Sequence, residues 1–331
     1  MTSSSSEVDD SNRNMLRFLV LGAGEGWHSN QLKMAANQLN CDLEFADYES
    51  LAARLPRSGI ADLQSNAGGL VDFDGVLTRT MPPGSLEKIT FRLAVLHAHI
   101  ARGLSVVNPP RGLEIAIDKF ATLEHVGRLG YEVPRTRVAQ SRREAMDAFV
   151  ELQGDCVIKP LFGGEGRGVM RIQNTELAWY SFATLDQLDA VFYIQEFVPP
   201  GGRDTRLLII GEEVIALRRE NEHDFRTNVI SGSSCRQIDA PPEQTEIAKH
   251  ILSSLDLRFA AVDFIDCEQG PPLVLEVNAV PGWRGAQSVV SHPIAESILQ
   301  LMIDKAQASS LAPQSVPSHP RQSAEAIGDA R

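Results

Sequence analysis

A glycine-rich segment between two apolar runs constrains the fold of this chain more than any other feature of the sequence. Four glycines lie within residues 163–168, after Val157-Ile158-Lys159-Pro160 and before Val169-Met170-Arg171-Ile172. A P-loop ends in Gly-Lys-Ser/Thr and opens a helix, whereas this segment lacks that ending and leads into a second strand. It therefore predicts a glycine-rich hairpin whose backbone N–H groups can close over phosphates, with Lys159 beside them. A flexible surface hairpin is the alternative.

A second glycine loop lies near the N-terminus. The apolar run Leu16–Leu21 is typical of a buried parallel strand, and Gly22-Ala23-Gly24-Glu25-Gly26-Trp27 follows it. Trp27 stands where a dinucleotide-binding fingerprint requires glycine for close packing of helix on strand. A tight turn at the strand end is therefore favoured. Asp47, near the end of the next strand, leaves a Rossmann-type NAD(P)-binding oxidoreductase as an alternative.

Apolar runs and helical segments alternate up to residue 108, which predicts a small doubly wound α/β domain. Polar residues dominate positions 1–14 and 307–331, and we expect both tails to be disordered. The net charge of −12 disfavours binding to nucleic acid or to an anionic membrane surface. The four cysteines are far apart, and no apolar run has the ~18 residues of a membrane helix. These features favour a soluble, cytoplasmic protein.

Three oxygen-bearing side chains are predicted to converge near the C-terminus. Glu276 and Asn278 stand two residues apart in the apolar run Leu-Val-Leu-Glu-Val-Asn, so they face the same side of a strand. Asp263 lies in the preceding apolar run and joins them if the two strands pair. Carboxylate and amide oxygens suit Mg²⁺, which also shares ligands with phosphates. A hydrogen-bonded cap at the strand end is the alternative.

Basic residues are concentrated in one short region of this acidic protein. They form the clusters 203–206, 218–219 and 226–228, which contain five arginines. Surface salt bridges are the simplest explanation of each cluster taken alone. Together with the glycine hairpin and the three oxygen ligands, the clusters indicate a site for a polyphosphate and a carboxylate.

From about Asn108 to Lys305, the order and spacing of these segments resemble the ATP-grasp superfamily and, within it, the RimK-like amino-acid ligases. The resemblance implies an ATP-grasp fold after an N-terminal pre-ATP-grasp domain. The implied boundaries are residues 15–108 and 109–306, with a lid subdomain at about 131–194 and a C-terminal subdomain at about 195–306. The segments that match are Ile117-Asp118-Lys119, Val157–Gly168, Gln195-Glu196-Phe197, Gly202–Arg206, Phe225–Asn228, Asp263 and Glu276–Gly282.

The resemblance also implies a role for each matching position. Phosphates of ATP would contact Lys119, Lys159, Arg226 and Asn228, under a lid containing Gly164, Gly166 and Gly168. The adenine hinge would be formed, largely by its backbone, by Glu196 and Phe197. Asp204 would lie on the ribose side of the nucleotide site. One or two Mg²⁺ ions, or Mn²⁺, would be held by Asp263, Glu276 and Asn278. Arg206 and Arg219 are candidates for stabilising the substrate carboxylate and a developing oxyanion.

Members of this family phosphorylate a carboxylate with ATP, and an amine then attacks the acyl phosphate. The expected activity is therefore an ADP-forming carbon–nitrogen ligase that adds an amino acid, L-glutamate above all. The acceptor would be a peptide or a small molecule. The segment Arg79–Glu87 resembles RimK-like ligases of tetrahydromethanopterin-linked one-carbon metabolism, which implies a pterin of that type as one such small molecule. Residues 229–234 depart from the family pattern, because Ser231 and Ser233 stand where a basic residue and a glycine are expected. A non-catalytic nucleotide-binding module is an alternative, which the presence of Lys119, Lys159 and the three metal-ligand positions disfavours. The sequence leaves a homo-oligomer open.

Overall fold

A computed structural model describes residues 15–228, 232–267 and 270–311 of the 331-residue chain. The predicted leader, most of the predicted tail and the departures at 229–231 lie outside these residues. The N-terminal part contains β1 (Arg17–Leu21), α1 (Trp27–Gln38), β2 (Asp42–Ala46), β3 (Ala52–Arg54), β4 (Asp62–Ser65), β5 (Gly68–Gly69), β6 (Gly75–Thr78), α2 (Leu86–Ile100) and β7 (Ser105–Val107). Four of these strands form a parallel sheet in the order β2-β1-β6-β7.

The middle of the chain forms an antiparallel sheet and four helices. Its elements are α3 (Pro110–Ile117), α4 (Lys119–Arg128), β8 (Thr136–Ala139), α5 (Arg142–Glu151), β9 (Cys156–Lys159), β10 (Met170–Ile172), α6 (Thr175–Gln187) and β11 (Phe192–Glu196). The strand order is β10-β9-β11-β8. A separate apolar cluster that includes Phe149, Phe182 and Phe192 lies under this sheet. The predicted glycine hairpin joins β9 to β10, which pair antiparallel.

The C-terminal part is built on a five-stranded antiparallel sheet. It contains β12 (Arg203–Ile210), β13 (Glu213–Glu220), β14 (Ser234–Ile238), α7 (Pro242–Ser254), β15 (Phe259–Ile265), β16 (Leu273–Asn278), α8 (Arg284–Gln287) and α9 (Ile294–Leu311). The strand order is β14-β13-β12-β15-β16. This sheet carries the predicted basic and acidic clusters on neighbouring strands.

The N-terminal and C-terminal sheets are joined at one buried amide. The Nδ2 atom of Asn108 donates to the carbonyl oxygens of Phe259 and Ala279 at 2.6 and 2.7 Å, and its Oδ1 atom accepts from the N–H of Arg258 at 2.8 Å. One apolar cluster also runs through both parts, from Leu19 to Val262. Because an amide with every bond satisfied fixes its surroundings, the strands at the end of the cleft have a defined position relative to the N-terminal sheet.

The chain between the N-terminal sheet and β8 forms two helices, α3 and α4, and not one, because the side chain of Asp118 accepts from the N–H groups of Phe120 and Ala121 and starts α4. The last helix continues to Leu311, so residues 307–311 are helical and not part of a disordered tail. No helix of the described residues is long and apolar enough to cross a bilayer.

Candidate ATP and carboxylate site

A cleft lies between the sheet of the middle part and the sheet of the C-terminal part. Most of the predicted site residues line it, and the structure therefore brings them together. They are Lys119, Lys159, Gly164, Gly166, Glu196, Phe197, Asp204, Arg219, Arg226, Asn228, Asp263 and Glu276. Three predicted residues, Gly168, Arg206 and Asn278, are not among those that line the cleft.

Two lysines and one carboxylate face each other in this cleft. Lys159 ends β9, and its Nζ atom donates to Oε1 of Gln195 at 2.6 Å. Burial lowers the pKa of Lys159 to about 8, although the charge of Glu276 opposes the shift. Burial also lowers the pKa of Lys119, and Glu276 again opposes it. Two partly desolvated ammonium groups beside one carboxylate leave a net positive charge, which suits a polyphosphate.

The glycine hairpin is tied to both sides of the cleft. From the start of α4, the Nζ atom of Lys119 donates to the carbonyl oxygens of Gly163 at 2.7 Å and Leu161 at 3.4 Å. Gly166 has φ of 70°, which favours glycine, and a Cβ atom there would lie 2.6 Å from Oδ1 of Asn228, so the Asn228 side chain would have to move to admit one. Gly168, with φ of 73°, packs against Pro160 and forms the turn rather than the wall.

The register of the C-terminal sheet builds a buried ion-pair network on one face. Asp204 lies directly opposite Arg219, and Arg206 lies directly opposite Asp263. The guanidinium of Arg206 donates twice to Asp263, with both bonds 2.7 Å long. The guanidinium of Arg219 donates twice to Asp204, at 2.7 and 2.5 Å, and once to Asp263 at 2.8 Å. The hydroxyl of Thr227 donates to Asp204 as well.

Two positive and two negative charges therefore cancel within this network. Burial by itself would raise the pKa of Asp263, but the guanidiniums of Arg206 and Arg219 outweigh it and hold that pKa at about 2. Burial lowers the pKa of Arg219, and the charges of Asp263 and Asp204 more than restore it, so that it is raised. Arg219 is consequently charged at neutral pH, and both arginines are engaged with acids. They position the carboxylates of the cleft wall.

Each of the five clustered arginines has an acidic partner within the residues that the structure describes. Besides Arg206 and Arg219, the remaining three arginines also have acidic partners. They are Arg203 and Arg218, which both pair with Asp266, and Arg226, which pairs with Asp224 at 2.6 Å. Asp266 follows β15, one strand away from Arg203 and two strands away from Arg218, and Asp224 lies two residues before Arg226, so the pairing follows from the strand order and the local turn.

Of the three predicted metal ligands, Asp263 and Glu276 lie opposite each other, whereas Asn278 is engaged elsewhere. Glu276 lies directly opposite Asp263, as the pairing of β15 with β16 requires. The Oδ1 atom of Asn278 instead accepts from the N–H of Val280 at 3.0 Å. This bond is the hydrogen-bonded cap at the strand end that the sequence offered as the alternative to a metal ligand. Among the described residues, no group of three or more His, Cys, Asp or Glu side chains is arranged to hold a metal. A cation would therefore depend on Glu276 and Asp263 together with ligand oxygens.

An apolar slot beside the predicted hinge was missed by sequence reasoning. It is lined by Pro134, Val157, Val198, Phe225, Ile265 and Leu275. The ring of Phe197 meets that of Phe225 at 80°, with centroids 6.2 Å apart. Both carboxylate oxygens of Glu196 accept from Arg135, one from its backbone N–H at 2.8 Å and one from its Nε atom at 2.6 Å. Recognition at the hinge is therefore left to the backbone. A flat apolar slot of this kind suits a heteroaromatic ring.

The family of the chain follows from a match to the RimK-like ATP-grasp domain over residues 116–302. The chain belongs to the RimK-like ATP-grasp family. The match spans the middle and C-terminal parts of the fold and so includes the whole cleft. The predictions of an ATP-grasp fold and of an ATP-dependent carbon–nitrogen ligase are confirmed by this membership. The NAD(P)-dependent oxidoreductase is not supported, since the ATP-grasp cleft, and not the N-terminal glycine loop, carries the family match.

Relatives in the RimK-like family bear glutamate ligase names. A "probable alpha-L-glutamate ligase" of Sodalis glossinidius is 33% identical over 230 residues, which are 68% of this chain and 76% of the relative. The "tetrahydromethanopterin:alpha-L-glutamate ligase" of Methanocaldococcus jannaschii is 31% identical over 220 residues, 64% of this chain and 75% of that protein.

Solved ATP-grasp structures share the fold. The ATP-grasp ligase PsnB, complexed with a minimal precursor, superposes with a TM-score of 0.69 at 21% identity, over 87% of this chain and 98% of that one. The same ligase with its precursor, Mg and ADP gives a TM-score of 0.67 at 20% identity, over 88% and 98% of the two chains. At these identities the likeness concerns the fold, including the N-terminal domain that precedes the family match.

Proposed function

We propose that this chain joins L-glutamate to a carboxylate of an acceptor, with ATP and Mg²⁺, through an acyl phosphate. The observation that carries the proposal is the meeting of Lys119, Lys159 and Glu276 in the cleft of a RimK-like ATP-grasp protein. The relatives' names support glutamate as the amino acid.

The nucleotide would lie along the cleft with its base in the apolar slot. Phe197 and Phe225 would flank adenine, while the hinge backbone would recognise its edge. The phosphates would extend towards Lys159 and Lys119 under the glycine hairpin. Because Lys119 donates to the carbonyl of Gly163, arrival of a phosphate would compete with the hairpin for the same ammonium group. Nucleotide binding and hairpin movement would then be coupled.

The two acids of the cleft suit Mg²⁺, which needs only one or two protein carboxylates in such sites. Mg²⁺ is bound in phosphate-transferring sites by one or two carboxylates plus phosphate oxygens and water. Glu276 and Asp263 supply two carboxylates from opposed positions of β16 and β15. When bound, the ion neutralises charge on the transferring phosphate. Mn²⁺, with similar oxygen ligands, is an alternative.

The residues of this chain would act by binding, orienting and neutralising. An oxygen of the acceptor carboxylate attacks the γ-phosphorus, and the bond to the β–γ bridging oxygen breaks to release ADP. The amine of glutamate then attacks the acyl carbon, loses a proton and expels inorganic phosphate. Lys159 and Lys119 would hold the phosphates in line. Arg219, fixed by Asp204 and Asp263, would keep its charge beside the reacting oxygens.

The acceptor is proposed as a peptide or a small molecule that ends in a carboxylate. Relatives and structural neighbours offer both chemistries, since one relative's name contains tetrahydromethanopterin and PsnB is complexed with a precursor peptide. We also propose a cytoplasmic enzyme, because ATP is at hand there and the four cysteines are free.

Release of ADP from the purified protein tests the proposal. L-Glutamate, L-aspartate, L-alanine and L-leucine would each be supplied with a glutamyl-terminated pterin or a glutamyl-terminated peptide. We expect glutamate to support far faster release than alanine or leucine with at least one acceptor. The Glu276→Gln variant should lose this activity, and the control Glu212→Gln, at a residue in the turn between β12 and β13, should keep it. A preference for alanine or leucine would refute the glutamate proposal, and nucleotide binding without turnover would favour a non-catalytic module.

A further inference from the structure

One arginine at the edge of the N-terminal sheet has no acidic partner among the residues that the structure describes. Arg79 follows β6, and Gly22 follows the neighbouring parallel strand β1. A Cβ atom on Gly22 would lie 2.8 Å from Cβ of Arg79, so glycine permits a close approach of the two strand ends. Both residues lie at the carboxyl edge of an open parallel sheet, which is where such sheets bind ligands.

The guanidinium of Arg79 is held in place without being neutralised. Its Nη2 atom donates to the carbonyl oxygen of Pro281 at 3.0 Å, and it stacks over the rings of Trp283 at 4.8 Å and Phe259 at 5.5 Å. Its Nη1 atom is enclosed and has no hydrogen-bond partner. Within the described residues, no carboxylate lies at ion-pair distance from Arg79. Burial lowers the pKa of Arg79 to about 10, so it is charged at neutral pH.

The residues around Arg79 add further donors. Trp283 is fully buried, and its Nε1 atom likewise has no hydrogen-bond partner. The Nε2 atom of His28 accepts from the backbone N–H of Trp283 at 3.2 Å. Burial, with Arg79 and Arg284, lowers the pKa of His28 to about 4, so the ring is neutral. The 12-residue helix α1 begins after Gly26 with no side-chain cap and no acid in its first turn.

The loop that binds Arg79 continues directly from β16, the strand that carries Glu276. Pro281, which binds Arg79, stands five residues after Glu276, so the two Cα atoms are at most about 18 Å apart. The loop at residues 23–26, next to Arg79, is largely exposed. A Cβ atom on Gly26 would meet nothing within 4 Å, which leaves room for the loop to move when a ligand enters.

We propose that Arg79, the indole N–H of Trp283 and the uncapped start of α1 form a subsite for a carboxylate of a substrate. An enclosed donor without a partner is costly in the free protein, and a carboxylate offers the oxygens that a guanidinium fork matches. The proposal rests on the proposed ligase function, which requires two carboxylate-bearing substrates, the amino acid and the acceptor. Both substrates would present the same group, a carboxylate, and the test below distinguishes the amino acid from the acceptor.

Indole resonances report directly on this subsite, because the chain has three tryptophans, Trp27, Trp179 and Trp283. The ¹⁵N-labelled protein with ATP–Mg²⁺ would be titrated with L-glutamate, with a glutamyl-terminated peptide, and with the uncharged diamide of L-glutamate. We expect the Trp283 indole signal to shift and saturate with one of the two carboxylates but not with the diamide. The signal of Trp179, on the lid helix α6, should stay in place.

Two arginine variants make the assignment specific. Arg79→Lys keeps the charge but loses the fork, and it should weaken the carboxylate's affinity by about tenfold or more while leaving ATP affinity unchanged. Arg92→Lys is the control, since Arg92 is a buried arginine that donates to the carbonyl of Pro82 at 2.7 Å and already has an acidic partner, Glu49, at 3.4 Å. It should keep wild-type carboxylate affinity. If Arg79→Lys does not fold, the comparison of carboxylate with diamide on the wild-type protein decides alone.

The outcomes separate this subsite from the proposed function. Equal shifts with the diamide, or no Trp283 shift with either carboxylate, overturn the subsite even if ADP release with glutamate stands. A saturating shift that Arg79→Lys weakens supports the subsite even if glutamate supports no turnover. The titrant that produces the shift identifies its occupant as the amino acid or the acceptor.

Discussion

Removal of Arg219 tests the buried network that forms the wall of the ATP cleft. In the Arg219→Met variant, Asp263 keeps both bonds from Arg206, but Asp204 keeps only the hydroxyl of Thr227. Asp204 and Arg219 are 1% and 5% exposed, so water cannot replace the lost guanidinium. The variant therefore leaves one carboxylate buried and uncompensated.

The expected cost follows from that uncompensated charge. Breaking a buried ion pair by removing one partner costs about 3–5 kcal/mol of unfolding free energy. The Arg128→Met variant removes an arginine whose side chain is 68% exposed and pairs with Glu124 on the same helix, which should cost about 0.5 kcal/mol or less. Adding Asp204→Asn to Arg219→Met removes the orphaned charge, so we expect it to recover about 1–3 kcal/mol.

Urea unfolding of these variants at neutral pH measures the costs. Burial already raises the pKa of Asp204, so in Arg219→Met the destabilisation should shrink as the pH falls and this carboxyl takes up a proton. A loss below about 1 kcal/mol for Arg219→Met, or no recovery in the double variant, would show that the network is not the compensated buried cluster described above.

Three further predictions concern the cleft. Glu276→Ala should lower the rate of ADP release by about 100-fold or more. It should lower ATP affinity much less, because both lysines remain. Turnover equal to that of the wild type at limiting Mg²⁺ would contradict the metal assignment. Amide hydrogen exchange at residues 163–168 should slow with ATP–Mg²⁺, and unchanged exchange at saturation contradicts a lid. Between pH 8 and 10.5, the free energy of unfolding of the wild type should rise relative to that of Lys159→Met. The reason is that the pKa of Lys159 is about 8 in the folded protein and 10.5 in the unfolded chain, so the unfolded chain binds the extra proton. Parallel curves of unfolding free energy against pH for the two proteins would refute this.

Features that depend on one motif and its neighbouring strand could be predicted from the sequence. The glycine hairpin was placed between two strands because its flanks are short and apolar. Asp263 and Glu276 were expected to meet because they occupy corresponding positions of consecutive apolar runs, and the pairing of β15 with β16 has that register. The lysines of the cleft were found by their place in the family motifs.

Features that depend on pairing between charged residues could not be predicted in this way. The arginines looked available because the sequence does not reveal that Arg219 lies opposite Asp204 or that Arg218 reaches Asp266. The apolar slot was missed because Ile265 and Leu275 resemble any other core residues until two sheets enclose them. Arg79 gave no signal of its own, since the absence of an acidic partner is a property of the packed structure.

Transfer of an oxygen atom from acceptor to phosphate tests the central claim most directly. The acceptor that supports ADP release with L-glutamate would be labelled with ¹⁸O in its carboxylates, and the released products would be analysed by mass spectrometry. An acyl phosphate formed in the ATP cleft predicts ADP, a new amide bond and one ¹⁸O atom in each inorganic phosphate. Formation of AMP, or of inorganic phosphate that carries no label, would contradict the account.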